Sequence, residues 1–177
     1  MDTNSNSKND TGILLVGHGS RLPYNKDVVH TIAEKYAQTK PDYNIEVGYM
    51  ELAEPDIPTA FNKLKETGVK RIIVTPVFLA HGMHTKRDIP TILGLEPADI
   101  EKEIGESKCS HAHHDHDEEG EKHEHHHHHG HGHGHHHHHH GEEAQPVEFD
   151  GEIIYTEPLG ADDAIVNIVA ERVNEHL

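Results

Sequence analysis

The chain has 177 residues, 33% of them hydrophobic, and a formal net charge of −17 from 15 Lys and Arg against 32 Asp and Glu. That balance argues against sequence-independent nucleic-acid binding, which needs clustered cations to neutralise phosphates, and no apolar stretch approaches the roughly 20 residues of a membrane span. Cys109 is the only cysteine, so neither an internal disulfide nor a thiolate metal cage is available, and metal chemistry falls to imidazole and carboxylate.

Residues 1–10 are polar, lack the apolar core of a signal peptide and read as a disordered lead-in to a cytoplasmic protein. Residues 12–16 (GILLV) form a continuous apolar run, as in a strand buried on both faces. A helix is expected from Pro23 to about Gln38, with Val28, Val29, Ile32, Ala33, Tyr36 and Ala37 at helical spacing. Residues 45–52 read as a second strand, ended by Ala53-Glu54-Pro55, and Ile57, Ala60, Phe61 and Leu64 mark a helix that Gly68 closes. Residues 71–78 (RIIVTPVF) read as a third strand, irregular at Pro76. A helix broken near Gly94 and Pro97 is expected over residues 88–104, then a fourth strand over 152–156. A last helix carries Ile165, Ile168, Val169, Arg172 and Val173 on one side, with Asp162 and Asp163 suited to its N-terminal dipole.

This alternation implies one α/β domain over residues 11–177, with a four-stranded, mainly parallel sheet and helices on both faces. A histidine-rich insertion at 111–140 interrupts it, leaving roughly 140 residues to fold, a common size for one core. A switch point between the first and third strands would set the segments after them side by side. Those segments are Gly17-His18-Gly19-Ser20-Arg21 and Phe78-Leu79-Ala80-His81-Gly82-Met83-His84. Strands lie about 4.8 Å apart, so imidazoles on loops just beyond them can share one metal ion.

Gly17-His18-Gly19-Ser20 lacks the lysine and glycine spacing of a phosphate-binding loop, and Ser20 lacks a nucleophile elbow. The glycines flanking His18, which let backbone approach a bulky group, favour a ligand or base role for it over a histidine that merely bonds its own loop. His81 and His84 are three apart and could face one ligand on a helical turn, although His81 suits a pocket wall better. Glu54, at the end of the second strand, can reach the same edge, against the ordinary reading of a solvated loop carboxylate, and Glu51 has weaker grounds because it alternates away from the core. His30 and His176 are given no role. In 111–140, 18 of 30 residues are histidine. That composition cannot pack a core but can bind nickel, cobalt, copper or zinc. It suits a metal reservoir, and an alternative is that the whole protein is a metal store or metallochaperone acting through the tract.

Residues 17–27 (GHGSRLPYNKD), 76–97 (PVFLAHGMHTKRDIPTILGLEP) and 157–163 (EPLGADD) together resemble the short-form class II chelatases of archaea, which insert cobalt or nickel into sirohydrochlorin. The resemblance implies a flavodoxin-like fold and a homodimer, each chain supplying half of what longer chelatases hold in one polypeptide. It implies metal binding and proton acceptance by His18 and a second metal-binding histidine at His84. Substrate contacts are implied at Glu54 and at Leu79, Ala80, His81, Gly82, Met83 and His84. No prosthetic group is expected, with Co2+ or Ni2+ a substrate, serving cobalamin or the nickel tetrapyrrole coenzyme of methanogenesis. Sirohydrochlorin is rich in carboxylates, so Arg21, Lys26, Lys86 and Arg87, beside the two histidine segments, are candidates to meet them.

Overall fold

A computed structural model describes residues 10–109 and 145–177. The lead-in up to residue 9 and the whole histidine tract lie outside the described residues. In chain order the elements are β1 (Thr11–Gly17), α1 (Tyr24–Thr39), β2 (Asn44–Tyr49), α2 (Ile57–Glu66) and β3 (Arg71–Pro76). A π-helical turn (His84–Asp88), α3 (Ile89–Ile92), α4 (Ile100–Cys109), β4 (Glu152–Tyr155) and α5 (Asp163–Asn174) follow. Of the described residues, 10–98 and 145–177 form one compact unit. Helix α4 falls in a second unit and carries Glu101 and Glu103 in its first turn, where the helix dipole favours negative charge.

The sheet has the order β2-β1-β3-β4 and every neighbouring pair is parallel. The doubly wound α/β class expected from the alternation is what the chain forms. β1 is central and buried at all seven positions, which is why its sequence shows no polar alternation. Its even-numbered side chains, Leu14 and Val16, pack with Ile57, Phe61 and Leu64 of α2 and with Ile89 and Leu93. Its odd-numbered ones, Ile13 and Leu15, pack with Val29 and Ala33 of α1 and with Val47 and Tyr49 of β2. The two helices therefore cover opposite faces, and each crossover returns the chain to the same edge of the sheet.

Several boundaries differ from the sequence expectation for local reasons. β2 stops at Tyr49, and the chain then turns through residues 50–55 to Asp56, which bridges back to Tyr49. Asp56 caps α2 by accepting from the Thr59 N–H at 2.8 Å. The helix expected over 88–104, with its break near Gly94 and Pro97, is formed as a π-helical turn and short α3 ended by left-handed Gly94 (φ 70°), with α4 beginning at Ile100. Pro90 lacks an N–H and cannot continue the π-helical bonding in which Ile89 N–H reaches the His84 carbonyl. The Thr85 carbonyl that Pro90 would have met accepts the Tyr155 hydroxyl instead, at 2.9 Å. Helix α1 buries only Val29 and Ala33 of its apolar positions, while Val28 is 58% and Ile32 41% exposed.

Candidate metal site at the carboxyl edge of the sheet

Three consecutive strands in space each deliver one donor. His18 follows β1, Glu51 follows β2, and His84 opens the turn after β3. One ligand atom from each of the three lies within 4.8 Å of the others. The His18 and His84 rings meet edge to face with centroids 4.9 Å apart, and His18 Nε2 stands 3.9 Å from Glu51 Oε1. The pairing of β1 with β3 is what brings the two histidines together.

The backbone holds the first two donors in step. Met50 N–H donates to the Gly17 carbonyl at 3.0 Å and Glu51 N–H to the His18 carbonyl at 3.1 Å. Gly19 sits at φ 87°, and a Cβ there would stand 1.7 Å from the Glu51 carbonyl oxygen. Only glycine lets the two loops approach so closely. What this glycine accommodates is the chain's own backbone at Glu51. Next to Glu51, Leu52 adopts a left-handed conformation (φ 57°), a strain that surrounding structure must hold and that clusters at functional sites.

Hydrogen bonding settles which nitrogen of each imidazole is available. The Gly19 carbonyl can only accept, so His18 Nδ1 at 2.9 Å carries the proton and Nε2 keeps its lone pair. His84 Nδ1 donates to Asp88 Oδ2 at 2.8 Å, leaving its Nε2 likewise unprotonated when the ring is neutral. Burial acts to raise the Asp88 carboxyl, but hydrogen bonds and charge from Arg87 and His84 outweigh it and hold the group below the ordinary carboxylate range. It therefore stays ionised as an acceptor. A carboxylate behind a ligating histidine fixes both tautomer and ring orientation.

The loop that carries His84 is braced from within. Buried Thr85 accepts from the Gly82 N–H at 2.9 Å, and its carbonyl holds Tyr155. Burial, with the charge of Glu157 adding to it, pushes the Tyr155 phenol up to about 12. His81 is spent on the same bracing: Nδ1 lies 3.3 Å from Thr85 Oγ1 and Nε2 2.5 Å from Glu157 Oε2. It stands outside the donor trio, as a wall residue would.

The remaining expected residues are placed around this centre. Glu54 is exposed, precedes Pro55 through a cis peptide bond and lies outside the trio. Leu79, Ala80, Gly82 and Met83 are all exposed on the loop after β3, and Leu52 adds a 56% exposed side chain from the β2 side. Arg21 is exposed, and Lys86 and Arg87 sit on the π-helical turn, where Arg87 Nε donates to Asp88 Oδ1 at 2.7 Å. Asp88 escaped the sequence reading, although its position four residues after His84 is the spacing at which helical side chains meet. Among the described residues no helix is long and apolar enough to cross a membrane.

A family model described as CbiX matches residues 12–176. A sirohydrochlorin cobaltochelatase of Methanothermobacter thermautotrophicus is 49% identical over 173 residues, 98% of this chain and 97% of the relative. One from Methanococcus aeolicus is 51% identical over 160 residues, 90% and 95% of the two chains. Among solved structures, the sirohydrochlorin chelatase SirB of Bacillus subtilis subspecies spizizenii, in complex with cobalt, superposes with a TM-score of 0.56 at 22% identity over 94% of this chain. This chain spans about half of that one, with 51% covered. A CbiX protein of Marinobacter aquaeolei VT8 superposes with a TM-score of 0.54 at 23% identity, covering 93% of this chain and 95% of that one. With the fold matched by these structures and the sequence by its closer relatives, the chain belongs to the CbiX family, the short-form class II chelatases that its motifs resemble.

Proposed function

We propose that the protein is a sirohydrochlorin chelatase that inserts Co2+ or Ni2+ into the macrocycle, for cobalamin or for the nickel tetrapyrrole coenzyme of methanogenesis. The observation that carries this is the trio His18, Glu51 and His84, open to solvent at the sheet edge, with side chains 44, 49 and 35% exposed respectively. Two neutral imidazoles and a carboxylate suit a divalent first-row ion. Bonds of about 2.1 Å allow donors up to about 4.2 Å apart, so the trio needs to tighten by less than about 1 Å. Three protein donors leave coordination positions for the incoming pyrrole nitrogens, as a working metal site requires.

Insertion replaces two pyrrole N–H bonds with metal–nitrogen bonds and releases two protons. His18 Nε2 accepts one when it is not ligating, and Glu54 relays protons at the rim. Exposed Leu52, Leu79 and Met83 offer an apolar seat for a flat ring, while Arg21, Lys86 and Arg87 meet its carboxylates. One open edge covers one face of a macrocycle, and burying both needs a second wall, so the working form is a homodimer in the cytoplasm. The tract at 111–140 raises the local supply of metal.

The test is anaerobic mixing of protein, sirohydrochlorin and limiting Co2+ or Ni2+, followed by absorption. A spectral change to the metallated macrocycle, faster than the uncatalysed reaction and lost in His18→Ala and His84→Ala, is expected. Metal binding with no acceleration of insertion would instead assign the protein to metal storage or delivery.

A further inference from the structure

The turn that carries His84 is wider than an ordinary helix. Ile89 N–H reaches back five residues to the His84 carbonyl, where an α-helix would reach four, to Thr85. Single wide turns of this kind concentrate at functional sites. Pro90 follows at once and has no N–H to give. Its missing donor would have met the Thr85 carbonyl in the wide register or the Lys86 carbonyl in the ordinary one. Both carbonyls are satisfied from outside the turn: Thr85 accepts the Tyr155 hydroxyl at 2.9 Å and Lys86 accepts the Ala98 N–H at 2.9 Å.

Of these two outside donors, Tyr155 is the one mounted on the sheet. It pairs with Val74 of β3, and the next residue, Thr156, donates its N–H to the Val74 carbonyl at 2.9 Å. The Tyr155 ring packs against the buried cluster that includes Leu14, Val74 and Ile89. Its hydroxyl is therefore a fixed point against which the turn is set. Thr85 is buried, and a buried carbonyl left without a donor bears the full cost of its lost hydration. In the wide register only the hydroxyl prevents that cost, because Ile89 N–H is engaged by His84. In the ordinary register Ile89 N–H would meet the Thr85 carbonyl itself. Passing from one to the other turns His84 by about 100° around the helix axis and shifts it about 1.5 Å along it, which takes its ring out of line with His18.

We propose that the Tyr155 hydroxyl is a positioning group for the metal site. By satisfying Thr85 it holds the turn in its wide register, and so aims His84 at His18 and Glu51. Tyr155 acts through the turn and not by contact with the ion. Its part is distinct from that of Asp88, which fixes the His84 ring about its own bonds, whereas Tyr155 fixes the backbone from which the ring projects. The inference rests on the reading of His18, Glu51 and His84 as a metal site.

The test titrates the full-length wild type, Tyr155→Phe and Asp162→Ala with Co2+ alone, followed by ligand-field absorption. Each protein is read against its own His84→Ala counterpart, so that Co2+ held by the histidine tract cancels in the difference. Asp162→Ala removes the cap that accepts the Ala164 N–H at the start of α5 and controls for a general loss of stability. Tyr155→Phe should raise the Co2+ midpoint of the difference band at least about 10-fold, as for other partners that orient ligating histidines, and should change the shape of the band. Asp162→Ala should move neither. 4-Aminophenylalanine at position 155, which returns an N–H donor to the same point, should recover both. If Tyr155→Phe loses its circular dichroism spectrum, 4-fluorophenylalanine at 155 keeps the volume without the donor and takes its place. A folded Tyr155→Phe protein with the wild-type band and midpoint overturns the positioning role, as does a control that moves as far or an amino side chain that recovers nothing. A wild type with no difference band overturns the metal site itself, and this inference with it.

Discussion

Truncating Asp88 to alanine tests how His84 is aimed. His84 Nδ1 lies 2.8 Å from Asp88 Oδ2, and Arg87 Nε occupies the other oxygen at 2.7 Å, so the carboxylate cannot turn away. A hydrogen bond to a charged group contributes about 1.5–3 kcal/mol. The Asp88 side chain is 25% exposed, and screening by solvent places this bond near the lower end, at about 1.5–2 kcal/mol. At about 1.4 kcal/mol per factor of ten, Asp88→Ala should weaken Co2+ binding about 10- to 30-fold, within the range expected for partners of ligating histidines. Calorimetric titration of the protein with Co2+ alone measures this without the tetrapyrrole, and cobalt ligand-field absorption reports the altered donor geometry. In turnover, KM for the metal should rise more than kcat falls. Asp88→Asn keeps an acceptor oxygen without the charge and should fall between. A folded Asp88→Ala protein that binds Co2+ as tightly as the wild type would refute the positioning argument.

His18→Ala and His84→Ala should each abolish insertion with little change in thermal midpoint, since both side chains lie beyond strand ends and outside the core clusters. Glu51→Ala should weaken Co2+ binding measured by titration, whereas Glu54→Ala should slow turnover less than either histidine variant and leave Co2+ affinity unchanged. Joining Ser110 to Gly141 should preserve the fold, because loop-closure entropy varies slowly with length. Insertion rates of that variant should match the full chain in excess nickel and fall below it at limiting nickel. Tyr155 is pushed up to about 12 in the folded protein from 10.0. Its contribution to stability is therefore complete below pH 10 and disappears as pH rises through 12; denaturant midpoints should decline across that window, less steeply in Tyr155→Phe.

The parallel sheet and the meeting of His18 with His84 were legible because both follow from strong local signals. Two apolar runs each end in a glycine–histidine segment, and adjacency of the first and third strands does the rest. Strand alternation carried through to Leu52 favours Glu54 over Glu51. The strand ends at Tyr49, and past that point the two-residue period no longer says where a side chain lies. Asp88 stood in a charged run, Lys86-Arg87-Asp88, that reads as solvated until the turn geometry pairs it with His84. His81 and His84 look equivalent in sequence. Glu157, 76 residues away along the chain, separates them by engaging His81. Long-range partners of this kind leave no periodic trace. The exposure of Val166, Ile168, Val169 and Val173 on α5 was equally hidden, because an apolar helical side in a sequence reads as buried.

His18 and His84 follow β1 and β3, the two interior strands of the sheet, whereas Glu51 follows β2 at its edge. Central strands are the last part of a domain to open under native conditions, and their amides exchange with solvent only through near-global unfolding. The two imidazoles are thus mounted on the strands expected to open last, and the carboxylate on one expected to open sooner. On gentle heating, Co2+ affinity should fall in two stages, first as the β2 amides begin to exchange and finally with loss of protection of the β1 amides.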